Sequence, residues 1–311
     1  MQRAMFVCAS IAVSTFAFVG SAVANGPSPA SRGYHGSDTT PGVLNLASYN
    51  MQDKGQKPMN GGHEMEDDWD INGPIFLRSA TPESPGEVLI KNNFSWEHEK
   101  DSNHNGWLWG NNNNDNNNHY EYELEVEWGV VENHELIFAM PWRIGDGRIE
   151  GNGDVTVGWH WRLWKEDGMM PAVALRNFLR FPTGVGSSSI DYELRGLITK
   201  TLVPGATRLH FNPYAKSVNG NNNEDAHPFQ YGAAIGIDHR INDSLLFVAD
   251  YKYSSEEDKA AVRGNHEAEF DMDWDFASNQ TLGVSLLVGL DGDDYGADFG
   301  AKVSYMISFG G

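Results

Sequence analysis

Two runs of this sequence place a carboxylate at every second position. Glu121, Glu123, Glu125 and Glu127 alternate with Tyr120, Tyr122, Leu124, Val126 and Trp128, and Glu267, Glu269, Asp271, Asp273 and Asp275 alternate with Ala268, Phe270, Met272, Trp274 and Phe276. Successive side chains of a strand point to opposite faces, so each run separates an acidic row from an apolar, aromatic row. An acidic row in water attracts cations and repels anions, unless bases on neighbouring strands neutralise it. Such bases are at hand: Lys91, Arg162, Arg176, Arg180 and Arg195 fall on the matching face of other alternating segments. Two chemistries follow. One is an acidic constriction that selects cations or polar solutes, and the other is a salt-bridge network that stiffens a wall.

Other reactive groups carry less. His98 and His104, or His134 and His160, have no metal-ligand spacing on a helix. The run Asn111 to Asn118 holds one carboxylate, Asp115, without the regular acid spacing of a calcium loop, and reads as a polar surface loop. Asn221 to Asp225 reads the same way. Ser187, Ser188 and Ser189 read as turn residues, and neither a Gly-x-Ser-x-Gly elbow nor a His-x-Ser-Asn cluster is present. The sequence therefore predicts no enzyme, cofactor or metal centre. With 43 acidic against 22 basic residues the formal charge is -21, which excludes a nucleic-acid partner.

The elements that position the acidic rows are strands. Alternation recurs in Val155, Val157, Trp159, Trp161 and Leu163, in Leu245, Phe247, Ala249, Tyr251 and Tyr253, and in Leu282, Val284, Leu286 and Val288. Twelve strands are predicted, centred near residues 91, 124, 139, 159, 176, 196, 212, 234, 249, 270, 285 and 302. Their connections alternate between long polar loops, such as 100–118 and 254–264, and tight turns at 129–133, 204–206, 241–243 and 277–279. Residues 25–85 show no sustained period and are rich in Gly, Pro, Asn and Ser. They read as a periplasmic leader or as a segment folded into the barrel mouth as a partial plug. Ahead of them lie Arg3, an apolar run from Met5 to Val19, and the small residues Ala22 and Ala24. That is the pattern of a signal peptide over 1–24, with the only cysteine, Cys8, inside it.

A wall with one charged and one apolar face fits a transmembrane barrel or a soluble β-sandwich. Aromatics near predicted strand ends (Trp96, Trp128, Trp142, Trp164, Trp274, Tyr295 and Phe309) favour the barrel, whose outer face meets two water–lipid interfaces. The acidic rows must then face inward, because charge on the lipid side costs up to about 2–4 kcal/mol for Lys or Arg at the midplane and somewhat less for Asp or Glu. A mean hydropathy of -0.48 is compatible with a wall that needs apolar residues on one face only.

Several motifs occur in order between residues 75 and 309: Trp128-Gly-Val-Val-Glu-Asn-His-Glu-Leu136, Met140-Pro-Trp142, Gly153-Asp-Val-Thr-Val-Gly158, and Pro171-Ala-Val-Ala-Leu175 running to Phe181-Pro-Thr-Gly184. This set resembles the outer-membrane transporters known as the phenol-degradation meta-pathway transporter-like family. The resemblance implies a monomer-like twelve-stranded barrel with a transport role, and associates it with aromatic or hydrophobic solutes. The combined expectation is an all-β, antiparallel up-and-down barrel over 86–311 in the Gram-negative outer membrane. Lipid, a small solute, periplasmic chaperones and the barrel-assembly machinery are its expected partners. Its expected solute path runs past Glu121, Glu123, Glu125, Glu127, Arg162, Arg176, Arg180, Arg195, Glu267, Glu269, Asp271 and Asp273. A closed structural or adhesive barrel, and a secreted binding sandwich, are the alternatives.

Overall fold

A computed structural model describes residues 74–99, 118–144, 151–185, 187–218, 227–255, 264–291 and 297–310. The expected signal segment, residues 25–73, the Asn-rich stretches 111–117 and 221–225, and Tyr295 lie outside the described residues.

Among the described residues, thirteen strands form one antiparallel sheet. They are β1 (Val88–Glu99), β2 (Asn118–Val131), β3 (His134–Ile144), β4 (Gly151–Asn152), β5 (Val155–Trp164), β6 (Ala172–Phe181), β7 (Asp191–Val203), β8 (Thr207–Ser217), β9 (Phe229–Asn242), β10 (Leu245–Ser254), β11 (Asn265–Ala277), β12 (Gln280–Asp291) and β13 (Ala297–Phe309). Neighbours in sequence pair along the whole chain, and the sheet closes on itself because β1 also pairs with β13, in register from Val88↔Phe309 to Glu97↔Gly300. The two-residue β4 is a flap on β3, which itself continues to β5, so twelve of the thirteen strands make the ring. Closure removes the exposed edges that a strand of this length would otherwise offer to another chain. The fold is therefore a closed up-and-down barrel, and each predicted strand centre falls inside one strand of the ring.

Two details differ from the sequence expectation. The barrel wall begins at Val88 rather than at Gly86, and the first tight turn is shorter than 129–133, because β2 runs on to Val131. Asn133 makes that short turn possible: it adopts φ 67°, a left-handed conformation that asparagine tolerates better than most residues.

The wall has two faces. Outward, exposed side chains are aromatic and aliphatic. Trp128, Trp161, Trp164, Trp274 and Phe276 lie toward the short-turn end, and Trp142, Tyr192, Phe229, Tyr231 and Phe299 toward the long-loop end. These two aromatic bands, with Phe138, Ile235, Val284 and Leu286 between them, match an apolar belt with an interfacial girdle at each margin. Ring strands of 10 to 14 residues rise about 3.3 Å per residue, enough to cross the roughly 25 Å apolar band at a tilt. Inward, the buried residues are mostly polar: Lys91, Glu127, Glu135, Arg176, Glu193, Arg208, His210, Asp238, Glu269, Asp271 and Lys302. Two apolar patches interrupt them, Ala234–Leu246–Val248 and Ala172–Ala174–Leu197.

Candidate functional site in the barrel interior

The interior is built from charges brought level by strand pairing. Register sets Glu125 beside Lys91, and Lys91 Nζ lies 3.2 Å from Glu125 and 2.7 Å from Glu127. Glu127 also receives the guanidinium of Arg176, which has crossed from β6, and Arg176 reaches Glu135 at 3.4 Å. His160 Nδ1 stands 3.5 Å from the same Glu135. Five consecutive strands of the ring, β1, β2, β3, β5 and β6, thus contribute to one buried cluster. Burying these ions without mutual pairing would cost several kcal/mol each, so the cluster has to be assembled as a unit.

Further round, Glu193 accepts from Arg195 at 2.7 Å and from Arg180 at 3.1 Å. Asp238 holds Arg208 through Nε (2.9 Å) and Nη2 (2.5 Å), and His210 Nε2 lies 3.3 Å from it. On β10 and β11 the balance tips toward acid. Register sets Asp250 directly against Glu269 and Lys252 against Glu267, and the Lys252–Glu267 pair is 2.9 Å long. Ser285 donates to Asp271 at 2.5 Å. The Asp250 carboxyl meets that of Glu269 and is hydrogen-bonded by no basic side chain, and Oδ2 of Asp271 has no hydrogen-bond partner. Lys302 of β13 lies within electrostatic reach of Glu269, Asp271 and, across β1, Glu123.

The charges are sorted round the ring. Arg162, Arg176, Arg180, Arg195 and Arg208 come from β5 to β8. The far arc, from β10 through β13 to β2, carries the rows Glu267–Asp273 and Glu121–Glu127 with Asp250. Its bases are lysines: Lys252, Lys302 and Lys91. A planar guanidinium fits two carboxylate partners at once, which suits the interlocked side, whereas lysine acts as a point charge.

A length of chain ahead of β1 runs between these arcs. The amides of Ile75 and Phe76 donate to Glu269 at 2.7–3.2 Å. The carbonyl of Phe76 accepts from Arg195 at 3.3 Å, and that of Arg78 from Asn212 at 3.0 Å. The Ala80 amide donates to Thr199 at 2.8 Å, and Glu83 N–H to Glu135 at 2.9 Å. Leu77 and Ala80, both fully buried, fill the two apolar patches. Lys252 Nζ sits 3.9 Å above the Phe76 ring. The segment leaves toward β1 through a narrow gap at Gly129, which exchanges hydrogen bonds with Gly86 and Glu87 (2.7 and 2.9 Å). A Cβ on Gly129 would lie 2.0 Å from the Ser84 carbonyl oxygen.

The structure places the sequence-selected residues unequally. Glu127, Arg176, Glu193-bound Arg180 and Arg195, Glu267, Glu269, Asp271 and Asp273 are on the inward face. Glu123 and Glu125 follow them, bonded to Asn93 (3.4 Å) and Lys91. Glu121 is near the rim, 3.6 Å from the exposed Arg143, and Arg162 is spent on the turn, donating to Asn133 Oδ1 at 2.9 Å. Outside the sequence-selected set were Glu135, Arg208, His210, Asp238 and Asp250, whereas 74–83 falls within the stretch 25–85 that the sequence left open between a leader and a partial plug. Asp238 and Asp250 were visible as lone acids in alternating runs, each two positions before a base, Arg240 and Lys252. The segment carries no periodic signal.

No family model matches the sequence, and no curated protein matches it. Among solved structures, an outer-membrane channel from Pseudomonas putida F1 superposes with a TM-score of 0.55 at 13% identity, covering 73% of this chain and 97% of that one. The KdgM porin (0.49, 9% identity, 71% and 99% covered) and the NanC porin (0.48, 11%, 72% and 99%) are also similar in outline. The first of these likenesses concerns fold: the chain has the architecture of an outer-membrane channel barrel.

Proposed function

We propose that this protein is an outer-membrane channel that passes or binds a small polar solute, with the acidic rows of β2 and β11 lining one side of its path. The observation that carries this reading is the division of the wall: ionic inside a closed ring, aromatic and aliphatic outside. Paired charges of this kind stiffen a wall, and in a water-filled path the same charges also select what enters. The family resemblance associates aromatic solutes with such barrels, but the inward faces support a solute that presents polar groups. Insertion into outer-membrane lipid through periplasmic chaperones and the assembly machinery belongs to the same reading.

A second reading, a closed structural or adhesive barrel, is favoured by one observation, the polar and cation–π contacts of residues 74–83 with β3, β7, β8, β10, β11 and β13. Under the channel reading that segment is a partial plug. Planar-bilayer recording in a salt gradient separates the two. Stepwise conductance with a cation-favouring reversal potential supports the acidic channel. Silence from folded, inserted protein supports the closed barrel.

A further inference from the structure

The peptide unit of Phe76 spans the two sides of the interior. Its N–H is 3.2 Å from Glu269 Oε2, and its carbonyl oxygen is 3.3 Å from Arg195 Nη1. One residue's N–Cα–C–O framework thus joins an acid on β11 to a guanidinium on β7. That framework is the skeleton of a free α-amino acid, in which the donor is an ammonium and the acceptor a carboxylate. A carboxylate on one side and a guanidinium on the other favour the zwitterion over the neutral peptide, since charge-assisted hydrogen bonds are about twice as strong as neutral ones. Beside this bridge the Phe76 side chain packs on the patch formed by Leu77, Ala234, Leu246 and Val248.

The acidic side has few basic partners. Asp250, 7% exposed and in register with Glu269, meets that carboxyl and is hydrogen-bonded by no basic side chain, and the 1% exposed Asp271 has one oxygen without a hydrogen-bond partner. An ammonium offers three donors where the Ile75 and Phe76 amides together offer two. We propose that the interior site around Glu269 and Arg195 takes a zwitterionic amino acid with an apolar side chain, and that this solute competes with Phe76 for the two charges. The inference rests on the channel reading and narrows its solute class. A cation alone would satisfy Glu269 and Asp250 but leave Arg195 without its carbonyl partner, and an anion alone would do the reverse.

The test is proteoliposome swelling with the whole mature protein in three iso-osmotic solutes of one size: phenylalanine, phenethylamine and 3-phenylpropionate. An uncharged sugar calibrates the pore. Phenylalanine is expected to enter about tenfold faster than either singly charged analogue relative to the sugar, the factor set by about one hydrogen-bonded charge. Glu269→Gln is expected to erase the advantage over 3-phenylpropionate, and Arg195→Gln the advantage over phenethylamine. Phe76→Ala, which leaves both backbone groups in place but vacates the apolar patch, is expected to raise phenylalanine entry. Equal rates for the three analogues through the unaltered protein would overturn the inference even if the variants did not fold. Impermeability to the sugar and to ions would overturn the channel reading instead.

Discussion

Replacing Arg176 by Met probes whether the buried charge cluster holds the wall together. The change removes one guanidinium and leaves Glu127 and Glu135, each 1% exposed, with fewer partners. Each lost hydrogen bond to a charged group is worth about 1.5–3 kcal/mol, so the two contacts bracket roughly 3–6 kcal/mol. Neither carboxylate is orphaned, because Lys91 stays 2.7 Å from Glu127 and His160 stays 3.5 Å from Glu135. The expected loss is therefore near the lower end, about 3 kcal/mol, as found when one member of a buried ion pair is removed. Arg176→Lys keeps the charge but not two-armed contact, and should lose about half as much. The assay is reversible urea unfolding of the barrel in lipid vesicles, followed by tryptophan fluorescence, with midpoints compared at constant m. A change below about 0.5 kcal/mol for Arg176→Met, at unchanged m, would be the size of an ordinary surface substitution and would refute the reasoning. Coupling is checked by adding Glu127→Gln. With the buried charge gone, the double variant should recover part of the loss, and strict additivity would count against a shared cluster.

Other outcomes follow from the same geometry. Gly129→Ala puts a methyl 2.0 Å from Ser84 O and 2.6 Å from Glu83 O, so proteolysis within 83–87 should accelerate while the barrel stays heat-modifiable on gels. A chain lacking residues 25–80 should conduct more ions than the whole protein, and equal conductance would remove the segment from the path. In the β5–β6 connection, burial pushes the Glu166 carboxyl upward, but bonds from Lys200 and Thr201 outweigh it and hold the group below its ordinary 4.5. Such a depressed carboxylate stabilises the fold above about pH 4.5 and loses that contribution as pH falls through its native value. The melting difference between the protein and Glu166→Gln should accordingly be small at pH 7, under about 1 kcal/mol for a largely solvated group, and should vanish near pH 2.

The strands were legible because the wall is two-faced. Wherever Tyr120 to Trp128 or Glu267 to Phe276 alternates, period two identifies a strand and the charge names its inner side. The pairing of Glu127 with Arg176 was not legible, since it depends on a side chain reaching past β3 and β5, and periodicity says nothing about reach. Asp238 and Asp250 each belong to no acidic row, having Arg240 and Lys252 two positions on rather than a second carboxylate, so no repeat lifted them out. The two-residue β4 escaped because two residues have no period. For residues 74–83 the leader and plug readings stood side by side for a physical reason: their amides bond to side chains rather than to a partner strand, so no alternation is imposed on them. Pro74, Leu77 and Ala80 give no outward hint that they sit against a wall built from β6 and later strands.

That arrangement has a consequence for the order of assembly. The ring shuts only when β13 meets β1, a join between positions some two hundred residues apart. The partners that hold the inner segment, Arg195, Thr199, Asn212 and Glu269, belong to strands made after it. Residues 74–83 must therefore wait, unpartnered, until the surrounding wall exists, and the late strands must close round them or admit them from the short-turn end. Long-range pairing of this kind is slow, because the entropy of bringing distant chain ends together is lost before any contact rewards it. Seating of the segment should thus be the last and slowest phase of refolding, trailing the development of strand structure as a separate kinetic step.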